Sequence, residues 1–305
     1  MSKRALVPRG LATQAIRAHQ PAMTDDRDAY LTVPDGLRLH YRDHAGDPSR
    51  PPLLCLPGLT RNVRDFADLA ERYSPRFRVI AFEFRGRGRS DYDHQPQRYV
   101  PPTYIADTAA LLDHLDVPEA IFVGTSLGGL VTMGMAAVAP HRIAAAILND
   151  VGPELGSAGL ERIRSYVGRP VRFPDWDAAA RQLAANNASF SARYTHEDWV
   201  RMARRTCRED GAEVCMDYDM AIAAPLAGAG PAPVIDMWPL FRALSTKPLL
   251  LIRGERSDLL SAETADRMQE EAPGMRVALV EGVGHAPDLD EPEAVAAIDA
   301  FLEGF

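Results

Sequence analysis

The sequence predicts an α/β fold: a mostly parallel sheet covered by helices on both faces, interrupted once by a helical block. The first observation behind this is alternation. From Tyr30 onward, short apolar strand-like runs take turns with stretches of helical spacing. The second is the break, roughly Val151 to Ser245, where no clear strand is evident. The third is the return of the alternation from Pro248 to the end.

The elements follow in chain order. Tyr30–Val33 and Leu37–Arg42 read as a hairpin around the turn sequence Pro34-Asp35-Gly36. Leu53–Leu56 is a short apolar strand ended by Pro57-Gly58. Phe66–Tyr73 is helical, Phe77–Phe82 a strand, and Tyr104–Leu115 has helical spacing. Glu119–Val123 is a strand, and Leu127–Ala139 a helix that Pro140 stops. Ile143–Leu148 is the next strand. The block that interrupts the pattern has helical stretches near Leu160–Val167, Asp177–Asn187 and Glu197–Cys207, then a Gly/Ala/Pro-rich stretch, APLAGAGPAPV. After it come strand Pro248–Ile252, helix Ala262–Glu271, strand Arg276–Val280 and helix Pro292–Leu302, with Pro292 suited to a first helical turn. An inserted helical block reads as a cap. Residues 23–150 and 246–305 are then the core domain, 151–245 the cap, and 1–22 a leader or disordered extension, with translation starting at Met23. That extension is basic, acid-free and lacks the apolar stretch of a secretory signal. Its LVPRG resembles part of an engineered protease site, with Leu11 where such a site has Ser.

Composition bounds the function. With 46% hydrophobic and 25% charged residues in 305, the chain is globular and large enough for a sizeable core. A net charge of −8 argues against nucleic acid, whose binding depends on cation–phosphate contacts, and against anionic membrane surfaces. No apolar run approaches the ~20 residues of a spanning helix. Cys55, Cys207 and Cys215 show no metal-ligand spacing and are expected as unpaired thiols in a reducing cytoplasm. No metal and no cofactor is expected.

The chemistry concentrates in three loops. GTSLGG, Gly124 to Gly129, sits where an apolar strand stops and an apolar helix starts. A Gly-x-Ser-x-Gly at that junction is a nucleophile elbow: the turn is so sharp that the residues two before and two after the serine must be small. Ser126 is the expected nucleophile, and a serine needs a base to take its proton. His285, in EGVGHAPDLDEP just past the last predicted strand, is the expected base. An acid must orient that base, and Asp258, in RGERSDLLS past strand Pro248–Ile252, is the expected one. Asp150, at the end of Ile143–Leu148, is the rival. The backbone N–H of Leu127 is an expected oxyanion donor.

These motifs, in the order Ser126, Asp258, His285, resemble the α/β-hydrolase superfamily from about Tyr30 to Phe305. FEFRGRGRSD matches too, with Glu83 where the family usually has Asp, and its arginines read as a structural loop. The resemblance implies an eight-stranded, mostly parallel sheet with an inserted cap. It also implies a second oxyanion donor after Leu53–Leu56. Many relatives have His-Gly-x there; this chain has Pro57-Gly58-Leu59, so Leu59 is the candidate. In some related folds the acid comes from the strand before Asp150. Trp176, Phe190, Trp199, Tyr218 and Trp238 are cap aromatics, mostly for packing, one or two of them for lining an apolar pocket. Arg61 and Arg64, just past the Pro57-Gly58-Leu59 loop, read as solvated loop charges, with contact to an anionic substrate as the alternative.

The expected function is a serine hydrolase of small-molecule carboxylic esters working through an acyl-enzyme. Lactones, thioesters or carbon–carbon bonds are alternatives on the same triad, and the enol-lactone hydrolases have a similar layout. Haloalkane dehalogenases and epoxide hydrolases use an aspartate where this chain has Ser126. A ligand-binding protein on this fold is the reading from another class.

Overall fold

The computed structural model describes residues 27–187, 193–226 and 236–305; the leader 1–22, Phe190 and most of the APLAGAGPAPV stretch lie outside them. The chain runs β1 (Asp28–Thr32), β2 (Arg38–His44), β3 (Leu53–Leu56), α1 (Ala67–Tyr73), β4 (Val79–Phe82), α2 (Pro101–His114), β5 (Ala120–Thr125), α3 (Leu127–Val138) and β6 (Ile143–Asn149). An insert follows: α4 (Ser157–Tyr166), β7 (Arg172–Phe173), α5 (Trp176–Asn186), α6 (His196–Thr206), β8 (Cys207–Asp210) and β9 (Glu213–Met216). Then come α7 (Trp238–Leu244), β10 (Leu249–Gly254), α8 (Ala262–Glu271), β11 (Arg276–Val280) and α9 (Pro292–Leu302).

Eight strands form one sheet in the order β1-β2-β4-β3-β5-β6-β10-β11. Only β2 runs against the others. Because side chains alternate along a strand, each central strand feeds both faces. Leu54, Ile80, Phe122, Leu148 and Leu251 face the cluster shared with α2, α3, α7 and α8. Cys55, Val79, Val123, Ile147 and Ile252 face the cluster shared with α1 and α9. The order reverses between β3 and β5, since β4 lies on one side of β3 and β5 on the other. A crevice opens past the carboxyl ends of strands at such a reversal, which is where ligands bind in open α/β sheets.

The insert differs from its sequence expectation. It contains a small antiparallel sheet, β7-β9-β8. Its hairpin turns at Gly211, φ +70°, in an Asp-Gly turn sequence that the dense charges of Arg208-Glu209-Asp210 obscure. α7 also departs from the 151–245 cap assignment: Trp238, Phe241 and Leu244 pack into the core cluster with α3.

The FEFRGRGRSD segment is a buried structural loop. Arg85 forks onto Asp107 at 2.8 and 2.6 Å and also reaches Asp35 and Asp93 at 2.7 and 2.6 Å. Burial pushes the Asp107 carboxyl up, and the Arg85 guanidinium opposes it. Glu83 takes a bond from the Arg89 N–H at 2.7 Å and one from His40 at 2.7 Å. Its extra methylene uses space over Gly88, where a Cβ would lie 2.2 Å from Glu83 Oε1. Arg85→Met should cost about 3–5 kcal/mol, because it strips a buried carboxylate of its partner. Urea unfolding at neutral pH reads this as a lower midpoint; a loss below about 1 kcal/mol would contradict the assignment of Arg85 as a buried structural pivot.

Candidate active site

Ser126 stands between β5 and α3 with φ +51° and ψ −113°, left-handed backbone that a side chain rarely adopts. The glycines around it are required by close approach. A Cβ on Gly124 would lie 2.7 Å from the Gly128 carbonyl carbon, and one on Gly128 would lie 2.0 Å from the Leu56 carbonyl oxygen. The Ser126 N–H donates to the Asn149 carbonyl at 3.1 Å, and the Ser126 carbonyl accepts from Gly129 and Leu130 at the first turn of α3. The hydroxyl is thereby lifted into the crevice.

The structure brings Ser126 and His285 together: Ser126 Oγ lies 2.9 Å from His285 Nε2. On the other side of the ring, His285 Nδ1 lies 2.8 Å from Asp150 Oδ2. A carboxylate can only accept here, so Nδ1 bears the proton and Nε2 is left to accept from the serine. Asp150 is fully buried at the end of β6. It also accepts from the Gly254 N–H at 2.8 Å and from Ser257 Oγ at 2.6 Å. Its φ of +55° is a conformation that Asp and Asn tolerate better than most residues.

Asp258, the expected acid, has no hydrogen bond to His285. Arg162 of α4 holds it in a fork, with 2.6 and 2.8 Å contacts. Burial raises the Asp258 carboxyl, but the Arg162 guanidinium outweighs burial and leaves it below the usual range. The loop after β10 thus turns its aspartate toward the insert and gives its serine, Ser257, to Asp150.

Leu59 follows β3 and lines the same cavity as Ser126 and His285. A Cβ on Gly58 would lie 3.8 Å from Ser126 Cβ, so this loop runs beside the nucleophile. The loop is pinned from behind by Arg87, a fully buried side chain whose Nε donates to the Leu59 carbonyl at 2.9 Å. Leu127 opens α3, and the N–H of a first helical residue has no partner within its helix.

Residues 53–298 match the alpha/beta hydrolase family. The chain is an alpha/beta hydrolase. It is 36% identical to the 3-hydroxybutyrate-oligomer hydrolase of Cupriavidus necator over 283 residues, 89% of this chain and 95% of that one. It is 30% identical to the 2-(acetamidomethylene)succinate hydrolase of Mesorhizobium japonicum over 260 residues, 84% of this chain and 89% of that one. The crystal structure of an alpha/beta hydrolase from Novosphingobium aromaticivorans superposes with a TM-score of 0.87 at 51% identity, covering 91% of this chain and 98% of that one.

In this hydrolase the insert walls the cavity, through Tyr166, Phe173, Leu183, Met202 and Tyr218 among others. The tryptophans do other work. Trp199 is buried within the insert's own cluster, Trp176 donates to Glu209 at 3.1 Å, and Trp238 packs on Phe241. Of the aromatics picked out in the sequence, only Tyr218 lines the cavity among the described residues. Arg61 and Arg64 are not solvated charges. Arg61 lines the cavity, forked onto Asp65 at 2.7 and 2.6 Å. Arg64 ties the core to the insert through the Arg205 and Cys207 carbonyls and Asp217. Sequence reasoning also missed Asn149, whose amide donates to the Pro287 carbonyl at 2.8 Å and so links the elbow to the histidine loop. Its only signal was its place at a strand end. The three cysteines are unpaired and buried. No helix among the described residues is long and apolar enough to cross a membrane.

The histidine loop rests on Glu291, whose Oε1 accepts from the Asp288 N–H at 2.9 Å. Burial, with Asp288 and Asp290 adding to it, raises the Glu291 carboxyl to about 7 from its ordinary 4.5. The unfolded chain therefore loses this proton first as pH rises, and the folded state is progressively penalised between those two values. The full penalty, present above neutrality, is roughly 3 kcal/mol. Glu291→Gln should leave stability nearly unchanged near pH 4.5 and raise it at pH 8 relative to the parent protein. Urea unfolding at the two pH values checks this; an equal effect at both would contradict it.

Proposed function

We propose that this protein cleaves short carboxylic esters through a Ser126-His285-Asp150 triad and an acyl-enzyme. The observation that carries the reading is the unbroken relay of contacts, 2.9 Å from serine to imidazole and 2.8 Å from imidazole to buried carboxylate. His285 Nε2 takes the hydroxyl proton as Ser126 Oγ bonds to the acyl carbon. The carbonyl oxygen becomes an oxyanion, held by the Leu59 and Leu127 N–H groups. Collapse breaks the bond to the leaving alcohol, which receives the proton from His285. Water then repeats the sequence, with His285 as base, and releases the acid. Asp150 stays ionised throughout and fixes the tautomer.

The substrate reading is a short hydroxy-acid oligoester. The cavity volume is about 150 Å³, room for a group of benzene size, which suits a four-carbon acyl unit. Similarity to a 3-hydroxybutyrate-oligomer hydrolase supports the same class.

Ser126→Ala should lose ester turnover by several orders of magnitude. Asp150→Asn should fold and lose about 10⁴-fold in kcat through the wrong histidine tautomer. Asp258→Asn should lose much less. Steady-state kinetics on a butyryl ester, normalised to folded protein, decides between the two acids; a reversed order of severity would restore Asp258 to the role.

A further inference from the structure

The cavity lining includes a polar cluster that the triad does not use. Arg162 reaches it from α4, its Nε and Nη2 forked onto Asp258 and its Nη1 on Asn187 Oδ1 at 3.2 Å. Arg61 reaches it from the loop after β3, its Nε and Nη2 forked onto Asp65 and its Nη1 on Thr206 Oγ1 at 2.8 Å. Tyr166, the last residue of α4, sits in the field of both guanidiniums. Arg61, Arg162 and Tyr166 all line the cavity that contains Ser126.

The two arginines are built alike. Each has its planar fork held by a carboxylate and one further bond to an uncharged oxygen. Asp65, the partner of Arg61, and Asp288, whose charge acts on Arg61, line the cavity as well. A guanidinium has five N–H donors, so three such bonds leave each with donors to spare. The side chains are mostly buried, Arg61 at 20% and Arg162 at 18% exposure, so they cannot swing away into solvent. Burial raises the Tyr166 phenol, which keeps it a protonated donor. At the rim, Arg169 lines the same cavity, is exposed, and has no ion-pair partner among the described residues. Fixed, surplus, cationic donors beside a nucleophile call for an anionic, planar, oxygen-rich acceptor.

We infer that this cluster binds a free carboxylate on the substrate. The inference rests on the ester-hydrolase reading above and deepens it. The substrate class is an ester of a small acid-terminated molecule, with Arg162, Arg61 and Tyr166 as specificity-determining residues and Arg169 attracting the anion to the mouth.

The test compares two matched substrates: a hydroxybutyrate dimer with a free acid end, and the same dimer capped there as the primary amide. Cleavage of the internal ester is followed by mass spectrometry. In the parent protein the acid should exceed the amide in kcat/KM by about 10- to 100-fold, mostly in KM, as bonds to a charged group require. Arg162→Met combined with Asp258→Asn, which leaves no bare carboxylate behind, should collapse that ratio at least tenfold. Tyr166→Phe, a change that conserves packing, should reduce it severalfold. Should the double variant not fold, butyrate and butyramide compared as competitive inhibitors of the parent protein give the same answer, with butyrate the tighter. Equal turnover of acid and amide, or butyramide binding as well as butyrate, would overturn the inference and leave the ester-hydrolase reading standing. Failure to turn over either dimer or a simple butyryl ester, with no fluorophosphonate labelling of Ser126, would overturn that reading and the inference with it.

Discussion

The Asp150 carboxylate is the point on which the site depends. It is fully buried and accepts from the Gly254 N–H, from Ser257 Oγ and from His285. Those donors come from the end of β10, the loop after it and the loop after β11, while Asp150 itself directly follows β6. One group therefore fixes the mutual position of three strand ends. An ionised carboxylate taken out of water is costly unless its oxygens are matched by donors, and here both oxygens are. The same bonds that make its burial tolerable also aim the imidazole at Ser126.

A second set of buried polar groups does for the loop after β3 what Asp150 does for the histidine. Arg87 grips the Leu59 carbonyl and stacks on Tyr104, while its backbone bridges to Tyr218 of the insert. Asn62 and Arg64 cross to the Arg205 carbonyl at the end of α6. Arg162 joins α4 to the loop after β10. The insert is consequently not a loose cover. Its inner face is bonded to the loops beside Ser126 and His285, so the shape of the cavity and the geometry of the proposed triad are coupled through named contacts.

The parts of this design that were legible in the sequence are the local ones. The elbow is readable because Gly124 and Gly128 are each forced by a close approach within a few residues of Ser126 or against the adjacent strand. His285 is readable because it follows the last apolar run. The choice between Asp150 and Asp258 was not legible. Both end parallel strands of the sheet, and what separates them is the Arg162–Asp258 fork, which spans 96 residues of sequence. Arg61 and Arg64 read as loop charges because their partners, Asp65 apart, lie more than a hundred residues on. The strands of the insert were hidden for a different reason: two to four residues long, with β8 three-quarters charged, they are too short to display an apolar alternation.

The most direct measurement of the central claim is the low-field proton NMR spectrum of the resting protein. An imidazole N–H shared with a buried carboxylate resonates far downfield and is protected from exchange. The account predicts one such resonance from His285 Nδ1–H, lost in Asp150→Asn and retained in Asp258→Asn. A resonance that survives Asp150→Asn and disappears in Asp258→Asn would contradict it.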